Sequence, residues 1–333
     1  MRALVDITHP ADVHLFRYFI EKLRKQGQDV LVTTRQKDVT TELLQALGVP
    51  YLCLSKMGSG LVPMAAELLQ RNARLFRVCR RFRPHVMLAR IGISIGPVGA
   101  ALRIPRVVLE DTEHAWLQLS LSLPFATYIC TGMGYLKRYG SRQVWFRGVP
   151  VLAYLDPRYF HPDPEPLRQA GVDPESPCIV MRMVSWSAAH DLGLSSPGYD
   201  MVLQAVQRLS KHGRVLISSE AALPEALRGY ENPVPPVFMH DLLAFAALYI
   251  GEGGTTAAEA AALGTPSIFC NPLRTGYLLA LEEQYGLVHL TDSLVEGARL
   301  AESLLSRANT RRTWQTRQRR LLRDSEDIVE FMV

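Results

Sequence analysis

Short β-branched runs alternate with amphipathic segments along almost the whole chain, and this alternation limits the fold more than any other feature. Parallel strands need a crossover between them, so repeated alternation demands parallel sheets covered by helices. In the first half the pattern predicts strands at Ala3–Ile7, Asp29–Thr33, Tyr51–Leu54, Val86–Ala89, Arg106–Leu109 and Tyr128–Cys130. Helices fall between them, such as Val13–Gln26, closed by Gly27 in the manner of a helix C-terminus. In the second half it predicts strands at Cys178–Met181, Val215–Ser218, Val237–Phe238, Leu248–Gly251 and Ser267–Phe269. Helices are expected there at Tyr199–His212, His240–Ala247, Thr255–Leu263, Tyr277–Tyr285 and Ser293–Ser306. Six prolines between Pro157 and Pro177 interrupt both periods and suit a linker. The expected class is therefore α/β with two Rossmann-like domains facing across a cleft, where ligands bind at strand C-termini. The boundaries are residues 1–155, a linker at 156–177, residues 178–310, and a basic helix at 311–333 packing back on the first domain.

Composition narrows the class further. With 333 residues, 48% apolar and 21% charged, the chain has material for two cores. Its longest apolar runs, such as Leu242–Ile250, fall far short of the ~20 residues that span a bilayer. Arg2 leads directly into a strand pattern containing Asp6, which is not a secretory leader. The five cysteines (Cys53, Cys79, Cys130, Cys178, Cys270) are scattered in apolar runs and never spaced C-x-x-C. That argues against a disulfide framework or zinc site and for buried packing in a reducing cytoplasm.

The formal charge is +5, concentrated in two groups. Arg71, Arg74, Arg77, Arg80, Arg81 and Arg83 follow one helix, and Arg311, Arg312, Arg317, Arg319, Arg320 and Arg323 lie near the C-terminus. Solvated helix faces account for both. For the first helix, an anionic membrane surface or a phosphorylated acceptor is the rival reading, giving a cytoplasmic protein peripheral to the membrane. No nucleic-acid-binding pattern accompanies the charge.

The segment Tyr249–Glu259 reads strand, glycine turn, helix. Glycines let the backbone approach an anion, and the free N–H groups of a helix start, at the positive end of its dipole, suit a diphosphate. Gly253 and Gly254 form the turn, Thr255 and Thr256 add hydroxyl donors, and Glu259 can accept hydrogen bonds from both ribose hydroxyls. The chain has neither a G-x-x-x-x-G-K-[ST] loop nor a G-x-G-x-x-G turn after its first strand.

Gly253, Thr256, Glu259, Gly264 and Pro266 match, in order and spacing, the donor-site signature of GT-B glycosyltransferases. The match resembles in particular the peptidoglycan enzyme that adds N-acetylglucosamine to the lipid-linked muramyl precursor. The resemblance implies that Glu259 binds ribose and that the segment with Phe238 and Met239 cups the base through backbone groups. It also implies that Ile104–Glu110 delivers a glutamate to the acceptor side, and that no metal or other cofactor is needed. The chain departs from that enzyme after the first strand, where His9-Pro10-Ala11-Asp12 replaces a glycine-rich loop. The combination of His9, His14, Asp111-Thr112-Glu113-His114 and Gly253-Gly254-Thr255 is more similar still to domain of unknown function 354. Its proteins are grouped with glycosyltransferases and nucleotide-sugar 2-epimerases. The partner so implied is a nucleotide-diphospho-sugar, with UDP-sugar foremost and the acceptor open.

Sugar transfer needs a base for the acceptor hydroxyl and positive groups for the leaving diphosphate. His9, Asp12 and His14 follow the first strand; His14 suits a base oriented by Asp12, with a helix cap and a packed histidine as the plainer account. Glu110, Asp111, Glu113 and His114 form the densest titratable cluster, where mutual repulsion raises at least one pKa. Arg182 suits the diphosphate, and Ser185, His190 and Asp191 follow it, with His190 a candidate catalytic group toward the sugar. Ser218, Ser219 and Glu220 lie after the next strand, and Arg274 is a further candidate. Three functions fit: glycosyl transfer, nucleotide-sugar 2-epimerisation, and nucleotide-sugar binding without turnover.

Overall fold

The computed structural model, describing residues 1–37, 39–58, 60–183, 198–219 and 221–333, resolves the alternation into two parallel sheets. The first compact unit comprises Met1–Tyr154, Thr275–Tyr277 and Glu326–Val333; the second comprises Leu155–Arg274 and Leu278–Ser325. The first half runs β1 (Arg2–Ile7), α1 (Pro10–Lys25), β2 (Asp29–Gln36), α2 (Thr40–Ala46), β3 (Leu52–Lys56) and α3 (Leu61–Phe82). It continues with β4 (Val86–Arg90), α4 (Ile95–Leu102), β5 (Arg106–Glu110), α5 (Trp116–Ser122), β6 (Tyr128–Thr131) and β7 (Gln143–Trp145). Then follow α6 (Leu152–Leu155), α7 (Glu165–Gln169), β8 (Cys178–Met183), α8 (Tyr199–Leu209), β9 (Arg214–Ser219) and α9 (Met239–Phe245). The chain ends with β10 (Leu248–Gly251), α10 (Gly254–Ala262), β11 (Ser267–Cys270), α11 (Gly276–Glu283), β12 (Val288–Thr291), α12 (Leu294–Leu305), α13 (Thr310–Asp324) and α14 (Ile328–Met332).

The strand orders are β3-β2-β1-β4-β5-β6-β7 and β12-β11-β10-β8-β9. In each sheet the order reverses beside the first strand, between β1 and β4 and between β8 and β10. A reversal leaves a crevice at the strand C-termini that no crossover covers, and ligands of doubly wound sheets bind there.

In the first unit, Ala3, Leu4, Val5 and Ile7 of β1 are fully buried, as a central parallel strand requires. Asp6 is buried among them. It is tolerated because Arg71 of α3 grips it through two bonds, Nη2–Oδ1 at 2.5 Å and Nη1–Oδ2 at 3.1 Å. Thr33 donates to Asp6 Oδ1 at 2.7 Å, and Arg71 also donates to Ser94 Oγ at 2.6 Å. This corrects the reading of the α3 arginines as one surface group: Arg71 is a buried countercharge, while Arg74, Arg77, Arg80 and Arg81 are exposed.

In the second unit, α13 lies across the C-terminal ends of helices. Arg311 donates to the carbonyls of Ala244 and Ala246 at the end of α9, Gln318 to Ala262 of α10, and Arg317 to Gly286 after α11. Carbonyls left over at helix ends and the negative end of the dipole attract such donors. The expectation that 311–333 returns to the first domain changes accordingly: α13 belongs to the second unit, and Glu326–Val333, carrying α14, to the first. The proline-rich stretch is likewise counted with the second unit, where the Asp163 N–H donates to Asp241 at 2.8 Å.

Three further expectations change. Val237–Phe238 is not a strand but part of a 3-10 turn, Pro236–Phe238, because Pro235 and Pro236 remove the donors a ladder needs. Two short strands, β7 at the sheet edge and β12, escaped the pattern, being too brief to show a period. Cys79, Cys130, Cys178 and Cys270 are buried, but Cys53 is exposed, and all five are free thiols.

Candidate functional site

In the second unit the crevice between β8 and β10 is built around glycine. A Cβ on Gly251 would lie 2.3 Å from the Arg182 carbonyl oxygen, so only glycine lets β10 pass β8 here. Beyond it the chain enters α10 through Gly253, which makes no side-chain cap. The N–H groups of Gly254, Thr255 and Thr256 therefore lack intrahelical acceptors and stand at the positive end of the helix. Tyr249, fully buried, donates to Gly253 O at 3.0 Å and props the turn. Arg182 lies alongside, its Cγ 3.2 Å from where a Gly253 Cβ would be. Glu259 is buried on α10, with Oε1 3.1 Å from Nε2 of His240. Phe160 meets His240 edge-on at 6.1 Å between ring centroids.

The other nucleotide-side candidates are placed as follows. Ser218 Oγ accepts from Asn232 at 3.0 Å, and Ser219 Oγ accepts from the Ala221 N–H. Phe238 and Met239 are half-buried where the 3-10 turn joins α9. Arg274 pairs with Asp292. Ser185, His190, Asp191 and Glu220 lie outside the described residues.

In the first unit the crevice lies between β1 and β4. His9 caps α1, its Nδ1 accepting from Ala11 N at 3.2 Å, and Asp12 completes a capping box by accepting from the Thr8 and His9 N–H groups. Desolvation and the charges of Lys37, Arg90 and Arg35 push the His9 imidazole well below the ordinary histidine range, consistent with Nδ1 acting as an acceptor. His14, one turn on, packs against Tyr154 at 5.5 Å between centroids.

Arg90, at the end of β4, joins this loop to the acidic cluster. It binds Asp111 Oδ1 through Nη2 at 2.7 Å, lies 3.7 Å from Asp12, and donates to Thr112 Oγ1 at 3.1 Å. Against the cost of burial, the carboxylates of Asp111 and Asp12 keep it charged. The backbone just beyond is strained. Ile91 has φ 63° and is bridged by a hydrogen bond from Gly92 N to Arg90 O, an unfavourable conformation for a β-branched residue. Arg90 was missed in the sequence; its position directly after the predicted strand Val86–Ala89 is the signal that could have found it. His240 lies in the segment whose resemblance implies contact with the base, but its side chain was given no role there, and its contact with Glu259 is what marks it.

Glu110 is almost fully buried. Its Oε1 accepts from Thr112 N at 2.6 Å, whereas Oε2 has no hydrogen-bond partner among the described residues. Burial, and then the charge of Asp111, raise its pKa to about 8. Glu113 is buried too; Oε1 accepts from the N–H groups of Leu136 and Gly276, and Oε2 is unpartnered among the described residues. Both line a cavity of about 10 Å³ with Asp111, Tyr135 and Tyr277, at the lower limit for a single water. A carboxyl that exchanges its proton near neutral pH, beside a fixed cation, is equipped for acid–base chemistry. Among the described residues, no three His, Cys, Asp or Glu side chains form a group able to hold a metal ion.

Two parallel-sheet units, each with its crevice at the strand reversal, define the GT-B class. The UDP-GlcNAc 2-epimerase of Neisseria meningitidis bound to UDP-GlcNAc superimposes with a TM-score of 0.70 over 100% of this chain and 99% of that one, at 13% identity. The Streptomyces sp. SF2575 glycosyltransferase SsfS6, complexed with thymidine diphosphate, gives a TM-score of 0.64 over 100% and 99%, also at 13% identity. In sequence the chain is 28% identical to the uncharacterized protein MJ0665 of Methanocaldococcus jannaschii over 305 residues, covering 86% of this chain and 87% of that protein. The family described as "Protein of unknown function (DUF354)" matches residues 1–333, and the chain belongs to it.

Proposed function

We propose that this protein is a glycosyltransferase that moves a sugar from a nucleotide-diphospho-sugar, with UDP-sugar as the donor class, to an acceptor hydroxyl. The observation that carries the reading is the β8–β10 crevice, where an uncapped helix start, Arg182 and buried Glu259 stand together. In this reading the α10 N–H groups and Arg182 hold the diphosphate, Thr255 or Thr256 adds a hydroxyl donor, and Glu259 accepts from the ribose. Glu110 takes the acceptor proton in its ionised form, which the charge of Arg90 favours against burial and which grows as pH rises toward 8. The neighbours crystallised with UDP-GlcNAc and thymidine diphosphate support a nucleotide ligand. The five free thiols fit work in a reducing cytoplasm.

A specific observation favours a second reading, nucleotide-sugar 2-epimerisation. Glu110 and Glu113 are two buried carboxyls lining one cavity, each with an oxygen that has no hydrogen-bond partner among the described residues. Epimerisation needs more than one proton-handling group around the sugar.

Incubating the purified protein with nucleotide-sugars and no acceptor separates the two. An epimer formed without acceptor overturns transfer, whereas turnover that begins only when an acceptor is supplied overturns epimerisation. Glu259→Ala should weaken nucleoside diphosphate binding about tenfold or more by calorimetry, the loss expected for a charged hydrogen-bond acceptor. Unchanged affinity would mean the nucleotide lies elsewhere.

A further inference from the structure

The charge of the first unit is distributed unevenly. From Leu68 to Leu155 the chain carries thirteen Arg or Lys residues and only three acids, Glu110, Asp111 and Glu113. Glu110 and Glu113 are buried and Asp111 is paired with Arg90, so this stretch offers the surface no exposed, unpaired carboxylate. The same stretch exposes an unusual number of large apolar side chains. Trp116, Leu117, Leu121, Phe125, Leu136 and Trp145 are between 40% and 71% exposed.

Hydrogen bonds tie these residues into one face. Arg142, just before β7, donates to the carbonyls of Leu123 and Ala126, bringing the edge strand to the turn that carries Phe125. Leu136 N and Lys137 Nζ both donate to Glu113, immediately before α5. Arg138 covers the ring of Trp145, its Cζ 6.0 Å from the centroid. Helix α4 packs against both α5 and α3, so the exposed arginines of α3 belong to the same helical layer. An exposed apolar patch of this kind needs a partner, and tryptophans and leucines bordered by Arg and Lys are the pattern of a bilayer interface. Charge decides against a second copy of the chain: a twofold contact would set this predominantly basic face against itself, with the half-buried Glu326, which accepts from the Arg147 N–H, as its neighbouring carboxylate.

We propose that the α5–β7 face of the first unit docks on an anionic phospholipid surface, with Trp116, Leu117 and Leu121 entering the interface and Arg138 and Arg147 meeting lipid phosphates. Among the described residues no helix is long and apolar enough to cross a membrane, so the contact is peripheral.

The test is co-sedimentation of the full chain with phosphatidylcholine vesicles, with and without phosphatidylglycerol. The wild type should bind the phosphatidylglycerol vesicles at least tenfold more strongly, and less so at high salt as screening predicts. The triple variant Trp116→Ser, Leu117→Ser, Leu121→Ser, and separately Arg138→Glu with Arg147→Glu, should each lower binding about tenfold or more. The charge variant changes only exposed side chains and keeps the test open should the triple variant misfold. Removing Arg312 and Arg319 from α13 should change nothing. Binding that ignores lipid charge, survives both variants, or falls equally with the α13 control overturns the proposal. So does a wild-type dimer in sedimentation equilibrium that the triple variant dissociates while vesicles bind neither. None of these readouts involves the nucleotide.

Discussion

Glu110 concentrates the consequences of burial in one carboxyl. Folded, it keeps its proton up to about pH 8, whereas unfolded it releases it near 4.5. The folded state therefore binds more protons between those values, and stability on this account is intact below about pH 4.5 and falls as pH rises through 8. Glu110→Gln imitates the protonated form and can keep the bond from Thr112. It should raise Tm relative to wild type at pH 9 but scarcely at pH 5, by calorimetry, while reducing turnover about a hundredfold or more. A parallel gain at both pH values would mean that Glu110 is ionised in the fold. His240 offers a gentler test. If it orients Glu259, His240→Ala should weaken nucleotide binding roughly three- to tenfold, with the loss confined to ligands that carry a ribose 2′-hydroxyl. An equal loss for the 2′-deoxy nucleotide would assign His240 a packing role.

Among elements, the β8–β10 pair shows how a strand crossing sets the place of a helix start. Gly251 passes so near the Arg182 carbonyl that Gly251→Ala must push the strands apart. The expected cost is about 1–3 kcal/mol, or a few degrees in Tm, with nucleotide affinity falling as the α10 turn shifts. Much at this level was legible. The Gly251–Glu259 block showed its strand, turn and helix because glycines, threonines and small residues each signal a local conformation. Glu110 could be picked out because four titratable residues in five are rare. Arg71 was misread as surface because helical spacing shows which residues share a face but not what covers it. Val237–Phe238 was misread because apolar residues after two prolines look like a strand until the missing donors are counted. The strain at Ile91 is written nowhere in the sequence, since only the packing around it holds a β-branched residue at positive φ.

For the whole molecule, the return of the last residues to the first unit is the feature most open to test. Ile328 and Val329 are buried in α14, which packs on α1, with Phe331 5.3 Å from Phe146 between centroids and Lys22 paired with Glu330. Ending the chain at Ser325 removes two buried aliphatic side chains, roughly 3–6 kcal/mol of burial free energy. The truncated protein should show an earlier calorimetric transition, while nucleotide binding at low temperature, proposed for the second unit, persists. Loss of both together would show that the two units fold as one.

Periodicity and glycine placement, being local, determined that this chain is α/β, has two sheets, and runs from strand through glycine turn into helix at Gly251–Glu259. Which charges are buried, which strands stand side by side, and which unit keeps each end of the chain were decided only by tertiary structure. Those outcomes depend on contacts between residues dozens to hundreds of positions apart, such as Asp6 with Arg71 and Lys22 with Glu330. No window of sequence contains both partners.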